Sequence, residues 1–257
     1  MNAFDHALLG VTELEDARDA FQRLGFTTCP RGKHIGWGTA NYCIMFPDDY
    51  LELLGIVDGD QFTNNLDTFL AGHGEGLLGM CFASDDIDAL GEKLGRQPTD
   101  LKRLLELPEG TVEPRFRLLH PPADEVPGLN GFFCQHLSPE LMRRPEWLVH
   151  ANGATGIAAA IIAVQDVTAA AESYRRIFGV ESVNHQGDHA NVILGNSELS
   201  IIQSDAAEGL VELAIRVADE DATADYLQQT GVSFIRGTDG LFIAPAEACG
   251  AALTLVG

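Results

Sequence analysis

The sequence predicts an α+β fold made of four βαβββ modules, arranged as two halves that are each a curved sheet or barrel. Three observations support this prediction. Four segments of the 257-residue chain resemble one another, short apolar runs of strand length frame each segment, and a connector rich in proline, glycine and charge separates the second segment from the third. Unequal spacing between the segments favours two duplicated halves over a regular solenoid.

The helix of each module is predicted from apolar residues at helical spacing and from its end signals. An acidic or hydroxyl-bearing turn suited to capping begins each helix. The segments are VTELEDARDAFQRLGF, ASDDIDALGEKLGR, VQDVTAAAESYRRIFGV and VADEDATADYLQQTGV. Each helix is expected to end at a glycine, which adopts positive φ at little cost: Gly25, Gly95, Gly179 and Gly231.

The strands are predicted from apolar runs on both sides of these helices. HALLG, LGMCF, AAIIA and LAIR precede the helices, and β-rich runs such as TANYCIMF, YLELLGI, RFRLL and GFFCQHL follow them. The later modules continue with ANVILG, ELSIIQ, LFIAP and AALTLVG. We therefore expect an N-terminal half at residues 1–140, a connector at 141–155 and a C-terminal half at 156–257.

The composition narrows the classes of function. Acidic residues outnumber basic ones by 38 to 16, and the formal charge of −22 disfavours nucleic acid and anionic membrane surfaces as partners. The start MNAFDHALLG lacks the basic residues of a signal peptide, so the expected location is cytoplasmic. The five cysteines form no CxxC pair and suggest neither a disulfide framework nor a zinc knuckle.

One carboxylate, Glu52, lies within YLELLGI, a run that is otherwise uncharged and mostly apolar. Burying an unpaired charge is costly, so Glu52 needs a proton, a cation or a metal ion as its partner. A proton or a pairing with Arg115 or Arg117 is the structural alternative to a metal.

The module pattern, read with FDHALLGVTELEDARDAFQRLGF and DDYLELLGI, resembles the vicinal oxygen chelate (VOC) superfamily. This superfamily includes glyoxalase I, extradiol dioxygenases and bleomycin-resistance proteins. GKHIGWGTANYCIMFPDDYLELLGI and GFFCQHLSPELMRRPEWLVHANGA are similar to bacterial glyoxalase-like domain proteins. The resemblance implies that two modules curve around one pocket, and it leaves a homodimer open.

The resemblance also implies a divalent metal ion, held by residues on the first and last strands of a module. In the first module these positions carry His6 and Glu52, whose donors suit Zn, Fe, Mn, Ni or Co. The second module places Gly79 at a ligand position, and its last strand offers Gln135 or His136, which alternate onto opposite faces. His136 is the preferred third ligand because imidazole is the stronger donor. A core role for His6 and a capping or hinge role for His136 are the alternatives.

In the second half, the corresponding positions on the first and last strands carry Ala159 and Ser200 in the third module and Glu212 and Thr254 in the fourth. No metal ion is expected there. We expect the C-terminal half to be a structural partner that supports the first pocket.

Other polar residues are candidates for the pocket. Thr39 and Asn41 alternate onto one face of their strand and can hydrogen-bond a substrate, with His34 as general base or proton shuttle. Arg115 and Arg117 share one face of RFRLL and can clamp a substrate anion. Local backbone contacts for Thr39 and Asn41, and surface ion pairs for the two arginines, are the alternatives.

These observations predict a metal-dependent enzyme that acts on a small oxygen-rich molecule, either as a lyase or isomerase or as a dioxygenase. The alternative is a metal-free protein that binds or sequesters a small molecule. The sequence contains no GxSxG, P-loop or HExxH motif, so hydrolase-elbow, nucleotide and zinc-protease functions have no support.

Overall fold

A computed structural model describes residues 3–206 and 208–257 of the chain. The strands of the first half are β1 (Phe4–Gly10), β2 (Gly32–His34), β3 (Thr39–Met45), β4 (Tyr50–Ile56), β5 (Gly76–Ala83), β6 (Thr99–Leu107), β7 (Gly110–Val112), β8 (Arg115–Leu119) and β9 (Gly131–His136). Its helices are α1 (Leu14–Arg23), α2 (Leu66–His73) and α3 (Ile87–Leu94).

The second half follows the same order of elements, except that its described residues form no counterpart of α2 or β7. Its strands are β10 (Ala154–Val164), β11 (Val183–Gln186), β12 (His189–Leu194), β13 (Ser197–Gln203), β14 (Gly209–Val217), β15 (Ile235–Arg236), β16 (Leu241–Ile243) and β17 (Leu253–Val256). Helix α4 (Val167–Phe178) follows β10, and helix α5 (Glu220–Gln229) follows β14.

Each half forms one sheet, and the two sheets have equivalent strand orders. The first runs β2-β3-β4-β1-β5-β9-β8-β6-β7, and a further pairing of β2 with β6 closes eight of these strands into a barrel. The second runs β11-β12-β13-β10-β14-β17-β16-β15. The predicted α+β fold of four βαβββ modules in two halves is therefore confirmed.

The ends of the module helices follow the local signals in the sequence. The side chains of Asp86, Asp166 and Asp219 cap α3, α4 and α5 by accepting a hydrogen bond from a backbone N–H in the first turn. The four glycines predicted to stop the helices all have positive φ, between 64° and 96°.

The two halves share one hydrophobic core. Phe178 of α4 packs with its ring centroid 5.0 Å from that of Phe82 and 6.1 Å from that of Phe133, two residues of the first sheet. The second half thus packs against the outer face of the barrel. None of the helices in the described part of the chain is long and apolar enough to cross a membrane.

Candidate functional site

The barrel of the first half encloses a cavity of about 450 Å³. Strand β4 shows how the wall is built, because successive side chains of a strand point to opposite faces. Tyr50 and Glu52 line the cavity, whereas Leu51 and Leu53 belong to the core outside the barrel. The carboxylate within YLELLGI therefore faces the interior of the barrel.

A β-bulge directs two consecutive side chains of β1 inward. The pairing of β1 with β5 shifts register between Phe4 and His6, which makes Asp5 the extra residue. Asp5 Oδ1 lies 2.6 Å from His6 Nδ1, and Asp5 Oδ2 lies 3.0 Å from His136 Nε2. Asp5 thus joins two of the histidines that the sequence proposed as metal ligands.

The pair of Asp5 and His136 is charged. Burial opposes the ionised form of both groups, but their mutual attraction outweighs it. The pKa of Asp5 is held well below its usual range, and the pKa of His136 is raised to about 10. His136 and Asp5 therefore form a buried ion pair.

His6 and Glu52 meet in the cavity wall. His6 Nε2 lies 3.3 Å from Glu52 Oε2, and the His6 ring stacks on Tyr50 at a centroid distance of 4.4 Å. The side-chain amide of Asn41 donates a hydrogen bond to Glu52 Oε1. Burial would raise the pKa of Glu52, but His6, His34 and Arg103 outweigh it and lower the pKa, so Glu52 is ionised.

His34 lies beside this pair, as the sequence proposed. Its Nδ1 is 2.8 Å from Thr39 Oγ1, and its Nε2 is 3.8 Å from Glu52 Oε1. Burial lowers the pKa of His34 to about 4, which leaves the ring neutral at neutral pH. The structure thus brings together His34, Thr39, Asn41, His6 and Glu52.

A buried arginine, Arg103 of β6, also lines the cavity. Its Nη1 donates to Cys43 Sγ at 3.1 Å and its Nη2 to Met142 Sδ at 2.7 Å. Its guanidinium carbon lies 5.5 Å from the centroid of the Phe116 ring. Thiol and thioether sulfur are weak acceptors, so this cation is only weakly satisfied by the protein.

The mouth of the cavity is covered by α2 and the loop before it. Leu66 and Phe69 add apolar surface, and Trp37 packs edge-on against Phe62 at 5.0 Å between centroids. Asn64 and Asn65 hold positive φ of 54° and 64°, a conformation that asparagine tolerates better than most residues. This segment restricts the access of water to the polar groups beneath it.

The strand registers test how well the barrel fits the metal ion that the resemblance implies. The pairings of β1 with β4, β5 with β9 and β1 with β5 relate the two modules by a local two-fold axis. This axis exchanges His6 with Gly79 and Glu52 with Phe132. The second module therefore supplies no ligand at either of its two positions.

The first module supplies two donor atoms whose separation suits a divalent metal ion. Two ligand atoms at about 2.0–2.2 Å from one ion, at tetrahedral or octahedral angles, lie about 3–3.5 Å apart. The separation of 3.3 Å between His6 Nε2 and Glu52 Oε2 matches this geometry. The pair fits a divalent ion held by two protein ligands, with its other positions open to water or a ligand in the cavity.

A second group of potential ligands lies deeper in the barrel. Asp5 forms one cluster with His6 and Cys81 and another with Cys134 and His136, and the donor atoms of each cluster lie within 4.8 Å of one another. Among the described residues, no such cluster of three contains Glu52. The triad of His6, Glu52 and His136 stays a prediction. In this structure, His6 and Glu52 lie together, whereas the His136 ring contacts Asp5.

The sequence left open whether Gln135 or His136 of β9 faces the pocket, and the strand register shows which of the two does. His136 faces the barrel interior, where its ring packs edge-on against Phe116 at 4.9 Å. Gln135 points outward, and its Nε2 donates to the carbonyl of Asp85 at 2.8 Å.

The structure also corrects the placement of Arg115 and Arg117. Both share one face of β8, as predicted, but it is the outer face, because Phe116 between them lines the cavity. Arg117 pairs with Asp88 at 2.5 Å, and Arg115 Nε lies 3.4 Å from Glu113. The buried cation of the cavity is Arg103 instead.

Sequence reasoning missed two polar residues of the site. Arg103 had a detectable signal, because it alternates with Leu101, Leu105 and Leu107 and so falls on an apolar face of its strand. Asp5 had none, because strict alternation places it opposite His6 and only the bulge turns it inward.

Comparison with known proteins agrees with this fold. The family model for the glyoxalase-like domain matches residues 4–178, and no curated protein matches the chain. The two-module barrel and its cavity-facing His6–Glu52 pair define a protein of the VOC superfamily. The chain belongs to the glyoxalase-like domain family within it.

Solved structures with low sequence identity share the fold. A hypothetical protein from Staphylococcus aureus aligns with a TM-score of 0.74 at 17% identity, over 99% of both chains. A mutant of 4-hydroxymandelate synthase from Streptomyces coelicolor aligns at 0.60 and 13% identity, over 99% of this chain and 92% of that one. A fusion of a xylose isomerase-like TIM barrel with 4-hydroxyphenylpyruvate dioxygenase aligns at 0.61 and 12% identity, over 99% and 48%.

Proposed function

We propose that the protein is an enzyme that converts a small oxygen-bearing molecule in the barrel cavity, with a divalent metal ion held by His6 and Glu52. The observation that carries this proposal is the 3.3 Å approach of His6 Nε2 to Glu52 Oε2 in the cavity wall. Asp5 contacts His6 Nδ1, and Asn41 donates to Glu52 Oε1. Such outer partners orient metal-binding side chains. Nitrogen and oxygen donors suit Zn, Fe, Mn, Ni or Co.

The side chains around the pair have separate roles. When bound, the ion polarises adjacent oxygens of the ligand. His34 is neutral and exchanges a proton with the ligand, while Thr39 holds its Nδ1 and fixes the ring. Segment α2 excludes water from the reacting groups. A lyase or isomerase and a dioxygenase are the two reaction classes that this arrangement serves.

Metal analysis of untagged protein, purified without chelators, tests the ion. We expect near-stoichiometric metal in the wild type and in Glu106→Gln, a control on the outer face of β6, and loss of metal in Glu52→Gln. Metal that persists in Glu52→Gln but disappears in Asp5→Asn would place the ion in the deeper clusters. A wild type that takes up none of the five metals on reconstitution contradicts the metal in this proposal.

A substrate screen tests the catalytic part. Dicarbonyl, enolisable and catechol compounds are the probes. For any compound that turns over, we expect His34→Gln to lower kcat at least about 100-fold with metal content unchanged. Because the reactive form of His34 is neutral, the activity should hold at neutral pH and fall as the pH approaches 4. An unchanged kcat in His34→Gln contradicts its role.

A further inference from the structure

Arg103 is a buried cation of the cavity wall that donates no hydrogen bond to a carboxylate among the described residues. The residue is 3% exposed, and its Nε has no hydrogen-bond partner among the described residues. Its only hydrogen-bond acceptors in the described part of the chain are the sulfur atoms of Cys43 and Met142. A guanidinium remains charged when buried, and this one retains donors that carboxylate oxygens satisfy far better than sulfur does.

Arg103 is held at the seam where the barrel closes. Residues 99–102 of β6 pair with β8, whereas Arg103 and the two residues after it pair with β2. At Gly32 of β2, an added Cβ would lie 2.6 Å from Arg103 Cδ and 2.4 Å from Asn41 Oδ1. The glycine therefore leaves room for both side chains on the inner wall. The fold thus reserves space for a buried arginine beside the polar pair.

The surroundings of Arg103 define the shape and charge of its ligand. On the side of helix α2, the cavity is lined by apolar side chains that pack as one cluster: Leu54, Leu66, Phe69, Leu78 and Phe132. The carboxylate of Glu52 lines the same cavity as Arg103. Without a metal ion, a carboxylate brings one negative charge beside Glu52 and a phosphate ester brings two, so repulsion from Glu52 disfavours the phosphate ester more strongly.

We propose that Arg103 binds the carboxylate of the ligand, so that the cavity takes a small monocarboxylic acid with an apolar body lying under α2. This inference rests on the proposed function for the location of the site, and it adds the chemical class of the molecule. The net charge of the chain, −22, opposes the approach of an anion, and the buried cation of Arg103 offsets this repulsion inside the cavity.

Calorimetric binding of matched acids and amides tests the proposal. The probes are benzoate, 3-phenylpropionate and hexanoate, their primary amides, and phenyl phosphate, each measured with EDTA present. We expect the wild type to bind at least one acid 10-fold or more tightly than its amide and than phenyl phosphate. Absence of that preference, or binding of none of the acids, overturns the proposal.

Two variants test whether Arg103 is the source of the preference for acids over amides. Arg103→Gln should bring the acid-to-amide affinity ratio close to one, whereas Lys102→Gln, the same loss of charge on the next and outward-facing residue, should leave it unchanged. Retention of the full ratio in Arg103→Gln contradicts the assignment. If Arg103→Gln fails to fold, Arg103→Lys should keep the acid preference in reduced form, because one point charge replaces the bidentate fork.

The test separates this inference from the proposed function. Acid binding in EDTA does not depend on a metal ion or on turnover. Preference for acids in a protein that binds no metal supports the ligand class and rejects the metal-dependent enzyme. A protein that binds the metal ion but binds amides as tightly as acids supports the metal site and rejects the carboxylate ligand.

Discussion

The two halves of the molecule have the same strand order but differ in what their inner faces carry. Both contain a β-bulge at the same point of the first strand, between Phe4 and His6 in one half and between Ile157 and Ala159 in the other. The bulge turns Asp5 inward in the first half, and Ala158 occupies the same place in the second. The bulge is thus a property of the fold, and the chemistry depends on the side chain placed on it.

The positions of the metal-binding pair show the same contrast. The register of β10 with β13 places Ala159 and Ser200 where the first half has His6 and Glu52. In the second half, Thr254 Oγ1 donates to Glu212 Oε1 at 2.5 Å, so the nearest carboxylate has a local partner. The potential metal clusters found among the described residues all lie in the first half. A structural role for the second half remains our prediction.

Closure of the barrel is the second difference. Strand β6 has nine residues and can pair with β8, β7 and β2 along its length. Its counterpart β15 has two residues and pairs only with β16 within the described chain. The long strand β6 therefore closes the sheet of the first half, and the described part of the second sheet has no equivalent closing pair.

The largest expected effect tests whether the second half supports the first. Phe178→Ala removes a ring packed against Phe82 and Phe133, which should lower the free energy of unfolding by about 3–5 kcal/mol. Urea unfolding followed by tryptophan fluorescence measures this in the first half and its connector, where Trp37 and Trp147 lie. The exposed Val180→Ala is the control. An unchanged tryptophan transition in Phe178→Ala shows that the halves unfold independently.

A buried carboxylate links the halves and predicts a pH dependence. Asp49, between β3 and β4, accepts a hydrogen bond from the backbone N–H of Ile157 at 3.0 Å, and burial raises its pKa to about 7. The folded protein therefore binds a proton more tightly than the unfolded chain, whose carboxyl has a pKa near 3.8. This contribution to stability is complete below pH 3.8 and is lost as the pH rises through 7.

Asp49→Asn keeps the acceptor and removes the charge. Relative to the wild type, it should raise the free energy of unfolding at pH 8 by on the order of 2–4 kcal/mol, with a difference that shrinks towards pH 4. Denaturant unfolding between pH 4 and 8 measures it. Asp48→Asn, on the exposed neighbour, should show no such trend. A pH-independent difference for Asp49→Asn would refute the raised pKa.

Asp5 of the first half has Ala158 as its counterpart in the second half, and its carboxylate should contribute to metal affinity. Asp5→Asn should weaken metal binding about 10–100-fold without abolishing it, because a neutral amide orients His6 less strongly than a carboxylate does. Competition with a fluorescent chelator gives the affinity. Asp16→Asn, on the exposed face of α1, is the matched control. Unchanged affinity in Asp5→Asn would mean that His6 needs no orienting partner.

The sequence predicted the features that depend on residues close together in the chain, and it did not predict those that depend on residues far apart. The module helices depend on local signals such as the Asp166 cap and the Gly179 stop. The predicted stops all have positive φ, and a side chain caps α3, α4 and α5, whereas α1 begins at Glu13 with no capping hydrogen bond. The inward turn of Asp5 and the closure of β2 on β6 depend on strands distant in sequence, which no local pattern encodes. Helix α2 follows Asn64 and Asn65, which are typical of helix starts, but Asn65 has positive φ and its side chain makes no capping hydrogen bond.

The smallest expected effect concerns the pairing of β2 with β6, which closes the barrel of the first half. In Gly32→Ala, the new methyl group meets side-chain atoms of Arg103 and Asn41 rather than backbone, so these can shift at a cost near the lower end of about 1–3 kcal/mol. Gly59→Ala, where nothing lies within 4 Å of the added methyl, is the control. If Arg103 binds the carboxylate, Gly32→Ala should weaken acid binding several-fold while amide binding stays constant, because only the acid depends on the guanidinium position. Equal weakening for acid and amide would show that the seam sets the shape of the cavity and not its charge.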